Sequence, residues 1–196
     1  MSDLTDVLLT GLLNYGAILL GVTLFLSALG VPLPATMLVM ATGAFSRQGV
    51  LSLQEAAGVG VVAAVAGDAC SYALGRFAGD LLTSRLKDAE AWRSAERSFA
   101  RWGSWTVFLS RFLLTPIALP VNLLAGSTRF SWPRFMAAVV VGEVIWVLLF
   151  GGLGLLFADN WEALSQWASD LSGLLVGVLL VGVGVFSLVR RRKVGR

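Results

Sequence analysis

The chain has 196 residues, of which 57% are hydrophobic and 14% charged. A soluble domain carries about 25% charge, so the mean hydropathy of +0.80 points away from that class. The single cysteine, Cys70, excludes an intrachain disulfide, and the absence of histidine removes the commonest general base and metal ligand; no metal, cofactor or enzymatic chemistry is expected.

Residues 1–6 (MSDLTD) lack the basic start of a removable leader, so the first apolar run is expected to stay in the membrane. That run, residues 7–28, is long enough to span, because a helix needs about 20 residues to cross the hydrocarbon. Residues 30–46 are apolar but hold Pro32, Pro34 and Gly43. Proline removes a backbone donor and clashes with the preceding turn. Such backbone survives at membrane depth only inside protein or beside a wet cavity. The stretch is therefore predicted to be a re-entrant hairpin; a proline-kinked span is the plainer alternative.

Residues 52–76 read as a second span. In residues 80–102, Leu82, Leu86, Ala89, Trp92, Phe99 and Trp102 recur at helical spacing between charges, which predicts an amphipathic helix on the membrane surface. Residues 104–128, with Pro116, Pro120 and Gly126, read as a second re-entrant hairpin. Spans follow at 132–157 and 171–189, then a basic tail, 190–196. The expected fold is a single all-α polytopic membrane domain, 1–196. It has four spanning helices and two opposed re-entrant hairpins in an inverted repeat.

Charge placement orients this plan. Of fifteen Lys and Arg, only Arg47 precedes Arg76. Arg76, Arg85, Lys87, Arg93, Arg97 and Arg101 fall in one loop, and RRRKVGR ends the chain. Residues 158–170 carry Asp159, Glu162 and Asp170 and no basic residue. The positive-inside rule then places both termini in the cytoplasm. With the net charge of +3 clustered beside apolar segments, the basic residues fit a membrane surface and not nucleic acid. A homo-oligomer is left open.

The halves echo each other. Each has a broken hairpin with prolines and a glycine, a short loop, and a span with an acid after a glycine: Gly67-Asp68 and Gly142-Glu143. Inverted repeats of this kind hold substrate sites near the midplane in transporters. A charge within the bilayer needs a partner or a wet cavity. The candidates for substrate binding are Arg111, Asp68 and Glu143, with Asn122, Thr36 and Arg76 beside them. Arg111 is suited to bidentate phosphate recognition, and Asp68 and Glu143 are candidate proton carriers. Arg76 lies eight residues from Asp68, about 12 Å along a helix. The structural alternative is an Arg111–carboxylate pair that only fixes packing.

Four segments are similar to the DedA family, also called the SNARE-associated or VTT-domain family. GDACSYALGRFAG (67–79) resembles its Gly-Asp-x-x-x-Tyr-x-x-Gly-Arg-x-x-Gly signature. SRFLLTPIALPVNLLAGSTRFSWPRF (110–135) resembles its arginine-proline hairpin, GEVIW (142–146) the start of its next helix, and LGVPLP (29–34) its Pro-x-Pro hairpin. The resemblance spans roughly residues 22–157. It implies opposed re-entrant hairpins in the cytoplasmic (inner) membrane of a prokaryote. It also implies movement of a phosphate-headed lipid between leaflets, by flipping or scrambling, with undecaprenyl phosphate or a glycerophospholipid as substrate. Asp68 matches the family's acid and Arg111 its first hairpin arginine. Ser27 and Thr36 stand where the family carries glutamates, its second hairpin arginine is absent near Ile117 and Ala118, and Glu143 stands where the family often has alanine. A proton-coupled exporter of small ions or drugs, and a structural role in membrane homeostasis, are the other expectations.

Overall fold

A computed structural model describes residues 2–79, 99, 101–112 and 118–160. Six helices lie in these segments: α1 (Ser2–Ala28), α2 (Ala35–Arg47), α3 (Leu53–Phe77), α4 (Ser104–Phe112), α5 (Ala118–Ser127) and α6 (Trp132–Leu156), followed by a 3-10 turn at Ala158–Asn160. There is no strand among the described residues. Three helices are long and apolar enough to cross a membrane: Thr5–Ala28, Leu53–Phe77 and Trp132–Leu156. They match the expected spans at 7–28, 52–76 and 132–157. The expected span at 171–189, the basic tail at 190–196 and most of the amphipathic segment at 80–102 lie outside the described residues, as does Pro116.

The three long helices expose Ile18, Val62, Leu74 and Leu148, all more than half accessible. Apolar surface of this kind belongs against lipid. The first span is not the unbroken helix expected. Gly16 takes φ 55°, ψ −135° and interrupts it, a conformation open to glycine because it has no Cβ.

Helix ends follow from backbone accounting. Gly30 (φ 98°) closes α1, with Val31 N–H donating to Leu26 O and Gly30 N–H to Ser27 O. Gly49 (φ 76°) closes α2 in the same way, through Val50 N–H to Phe45 O and Gly49 N–H to Ser46 O. Both are Schellman caps. The end of α5 has the same bonds, Phe130 N–H to Ala125 O and Arg129 N–H to Gly126 O, but an arginine holds the left-handed position, at φ 55°. Between α1 and α2, Pro32 and Pro34 have no N–H to place. The two donors between and after them, Leu33 and Ala35, bond two residues back to Val31 O and Leu33 O, each at 2.8 Å. Pro34 then caps α2. Pro120 sits in the first turn of α5, where a missing donor breaks no intrahelical bond.

The packing crosses between halves of the chain. Helix α1 lies on α3 and α4 on α6, while α2 packs on α6 and α5 on α3. Glycines set these two crossed contacts. A Cβ on Gly43 would strike Gly151 O, and one on Gly154 would strike Met40 O. A Cβ on Gly126 would strike Tyr72 O, and one on Gly75 would strike Leu123 O. Both pairs therefore touch backbone to backbone, through residues three apart on each helix. Gly43 and Gly126 act here as contact points within helices, not as turns. The rings of Tyr72 and Trp132 lie 5.0 Å apart and those of Tyr72 and Phe135 4.7 Å apart. These contacts set the end of α3 beside the start of α6, so the two long helices run antiparallel.

This packing also sets the register of the repeat. Tyr72 and Gly75 answer to Gly151 and Gly154. Asp68 then corresponds to Val147 and Glu143 to Ala64, one helical turn away from the Gly67-Asp68 and Gly142-Glu143 match in the sequence. The two acids are not symmetry equivalents.

Candidate functional site

Four helices each send one polar side chain to a common point. Asp68 comes from the middle of α3, Arg111 from the last turn of α4, Asn122 from α5 and Glu143 from α6. Arg111 Nη1 donates to Asp68 Oδ1 at 2.6 Å, and Arg111 Nη2 donates to Asn122 Oδ1. Asn122 Nδ2 closes the ring by donating to Asp68 Oδ1 at 2.7 Å. Glu143 Oε1 stands 3.5 Å from the same Nη1. All four are buried, with residue exposures of 1% for Asp68, 4% for Arg111, 0% for Asn122 and 8% for Glu143.

Room for the guanidinium comes from Gly142, where a Cβ would stand 2.6 Å from Arg111 Cγ. The glycine before Glu143 therefore lets the arginine stem cross α6. Gly67 has a matching task on α3, where a Cβ would lie 2.7 Å from Phe25 O and press on α1. The floor below is apolar: Val107, Val121, Leu124, Phe135 and Val139 are buried there together with Tyr72. A charged cluster in such surroundings holds only while its members satisfy one another.

Of the residues singled out in the sequence, Arg111, Asp68, Asn122 and Glu143 meet here. Thr36 lies in the first turn of α2 and Arg76 in the last turn of α3, and neither bonds to any of the four. Arg76 instead reaches the Tyr72 hydroxyl at 3.5 Å, which itself donates to Phe130 O at 2.6 Å. Sequence reading also missed Gly142 as the residue that admits Arg111; a small residue beside an acid opposite an arginine was the available signal. Other hydroxyls bond backbone: Thr42 Oγ1 donates to Leu38 O and Thr128 Oγ1 to Leu124 O, one turn back, while Ser71 Oγ reaches across to Ala28 O of α1. Among the described residues, no group of three or more His, Cys, Asp or Glu side chains could hold a metal ion.

Lipid-facing apolar helices of spanning length around a buried ionic cluster define an integral helical membrane protein. The VTT domain matches residues 33–156. The chain is 32% identical over 185 residues to an uncharacterized membrane protein of Mycobacterium tuberculosis, covering 89% of this chain and 83% of that one. It is 30% identical over 140 residues to Protein DedA of Escherichia coli, covering 68% of this chain and 61% of that protein. An uncharacterized membrane protein of Synechocystis is 25% identical over 180 residues, covering 88% of this chain and 81% of that one. No solved structure matches the chain. The chain belongs to the VTT-domain, or DedA, family of membrane proteins.

Proposed function

We propose that this protein moves a phosphate-headed lipid between the leaflets of the cytoplasmic membrane. The observation that carries this reading is the buried ring of Arg111, Asp68 and Asn122, assembled from separate helices of a membrane protein. Asp68 Oδ1 and Asn122 Oδ1 are oxygen acceptors on the two guanidinium nitrogens. A phosphate presents the same pair of acceptors, so a head group can take their place on Arg111 while its tails stay in the bilayer. The ring is the resting lock, and the substrate is the competitor that opens it.

One guanidinium and two carboxyls form a neutral set when they hold one proton. A proton held between Asp68 and Glu143 would give Asp68 Oδ2 the hydrogen-bond donor it lacks among the described residues. Displacement of Asp68 by phosphate then couples head-group entry to uptake or release of that proton. In this reading α2, with 13 residues and a length of about 20 Å, does not cross the roughly 30 Å hydrocarbon. It forms the inner arm of one re-entrant hairpin, and α4 and α5 form the other. Basic-residue placement supports a cytoplasmic position for both termini.

The test is reconstitution into liposomes with a panel of lipids that includes undecaprenyl phosphate and phosphatidylethanolamine, with and without a pH gradient. Leaflet exchange of one lipid, lost in Arg111→Gln and altered in its gradient response by Glu143→Gln, is expected. Folded protein that exchanges no lipid overturns the reading. It would favour the structural alternative, for which the near-complete burial of the cluster is the supporting observation.

A further inference from the structure

A second feature lies at the end of the bundle where α3 finishes and α6 begins. A cleft of about 570 Å³ opens there, lined chiefly by Tyr72, Arg76, Phe77, Arg129, Phe130 and Trp132. Its size is within the range of small-molecule sites, roughly 300–1,000 Å³. Two arginines face one opening, and the described lining contains no carboxylate. At the other end of the bundle, Arg47 has Asp159 Oδ2 at 3.3 Å.

The backbone adds a second observation. The left-handed cap that glycine fills at Gly30 and Gly49 is filled by Arg129 at the cleft, against the steric preference of any residue with a Cβ. The wall beside it is aromatic and accessible: Phe77 is 88% and Trp132 43% exposed. Aromatic side chains with arginine at a helix end mark the head-group level of a bilayer. Ser131, which precedes α6, makes no side-chain capping bond, so its hydroxyl is available at the rim.

We infer that this cleft binds the phosphate group of an ester, held between the Arg76 and Arg129 guanidinia, with the ester's apolar part against Phe77 and Trp132. Two like charges around one opening raise the local concentration of anions, and guanidinium forks fit phosphate oxygens in pairs. Arg76 stands two helical turns, about 12 Å, from Asp68 along α3. The cleft is thus the surface station from which a head group reaches the buried ring. That role as a station rests on the translocation reading; the binding itself does not.

The experiment titrates phosphatidic acid into the full-length protein in detergent micelles and counts bound lipid by native mass spectrometry, with diacylglycerol as the uncharged probe and inorganic phosphate as competitor. The paired substitution Arg76→Gln with Arg129→Asn is expected to weaken phosphatidic acid binding about tenfold while diacylglycerol is unaffected, since a charged guanidinium contact is lost at each position. Asparagine is chosen because it tolerates positive φ. Arg76→Lys with Arg129→Lys retains the charge and should recover most of the binding. Competition by millimolar inorganic phosphate assigns the site to the phosphate group alone, soluble esters included; its failure to compete assigns the site to the membrane lipid. Unchanged phosphatidic acid binding in the folded Gln/Asn variant, or an equal fall for diacylglycerol, overturns the inference. Arg111→Gln separates the two readings. It should abolish leaflet exchange, while the phosphatidic acid binding that remains should still fall about tenfold when Arg76→Gln and Arg129→Asn are added; a parent protein that binds here but exchanges no lipid removes the translocase and keeps the site.

Discussion

The two short helices α2 and α5 start from the same packing and end differently. Each presses a glycine into the long helix of the opposite half and receives a backbone carbonyl contact in return. Beyond that point α2 is closed. Gly49 turns the chain, and Arg47 pairs with Asp159 and donates to Leu155 O at 3.4 Å. Helix α5 is open. Arg129 turns the chain, and it faces Arg76 across a cleft. Among the described residues, one end of a near-symmetric scaffold is neutralised by its own carboxylate, while the other presents two arginines and no carboxylate. Between them lies the ring around Arg111, which no symmetry relates to a second copy of itself.

The largest effects are expected at that ring. Arg111→Gln leaves the buried carboxyls without their counter-ion, and breaking such a pair costs about 3–5 kcal/mol; denaturant titration in mixed micelles measures it, and Asp68→Asn should cost less, because Glu143 Oε1 still stands 3.5 Å from Arg111 Nη1. The double variant should lose less than the sum of the singles, because the partners are coupled. Next come the crossed glycines. Gly75→Ala and Gly154→Ala each force a methyl onto a backbone carbonyl and should lose about 1–3 kcal/mol by overpacking. Similar losses at the two sites sustain the symmetry of the scaffold, and a tolerated Gly154→Ala would break it. Gly152→Ala is the control: open space surrounds that position, and it should hold or gain stability by up to about 1 kcal/mol.

A smaller effect separates the two caps. Arg129→Gly should stabilise the fold by about 1 kcal/mol, since a left-handed residue with a Cβ costs roughly 1–2 kcal/mol. Gly49→Arg should destabilise it by a similar amount, and thermal melting in detergent reads both. A stabilised Arg129→Gly that also loses anion binding would show that stability is given up at this cap for charge. The smallest effect belongs to the surface pair. Arg47 and Asp159 are 48% and 76% exposed as side chains, so Asp159→Asn should change stability by less than about 1 kcal/mol, with the difference vanishing in high salt.

Much of the site was legible in the sequence because charge is conspicuous in an apolar chain. Arg111, Asp68 and Glu143 each stand out for the cost of burying them, and Asn122 for its amide in an apolar stretch. Their common meeting point could not be read, because it depends on four helices whose order in space is not their order in the chain. The long apolar runs revealed three spanning helices, while the break at Gly16 looked like one more glycine in a glycine-rich helix. The Gly-Asp and Gly-Glu dipeptides suggested a repeat, yet similar dipeptides matched the wrong turn. The contacts that set the register are made by backbone atoms, and backbone leaves no letter in the sequence except the glycine that permits it. The left-handed backbone of Arg129 is a property of the cap, and no residue type marks it in the sequence.

The crossed packing has a consequence for what counts as a part of this molecule. Residues 2–79 contribute α3, whose glycine face is covered by α5 from the later segment, and α6 is covered in turn by α2. Among the described residues, neither half covers the glycine contact of its own long helix, and each short helix is clasped by the long helix of the other half. Two separately expressed halves would each carry an unfilled seam of the right shape for the other, and the natural unit of assembly is the clasp between them.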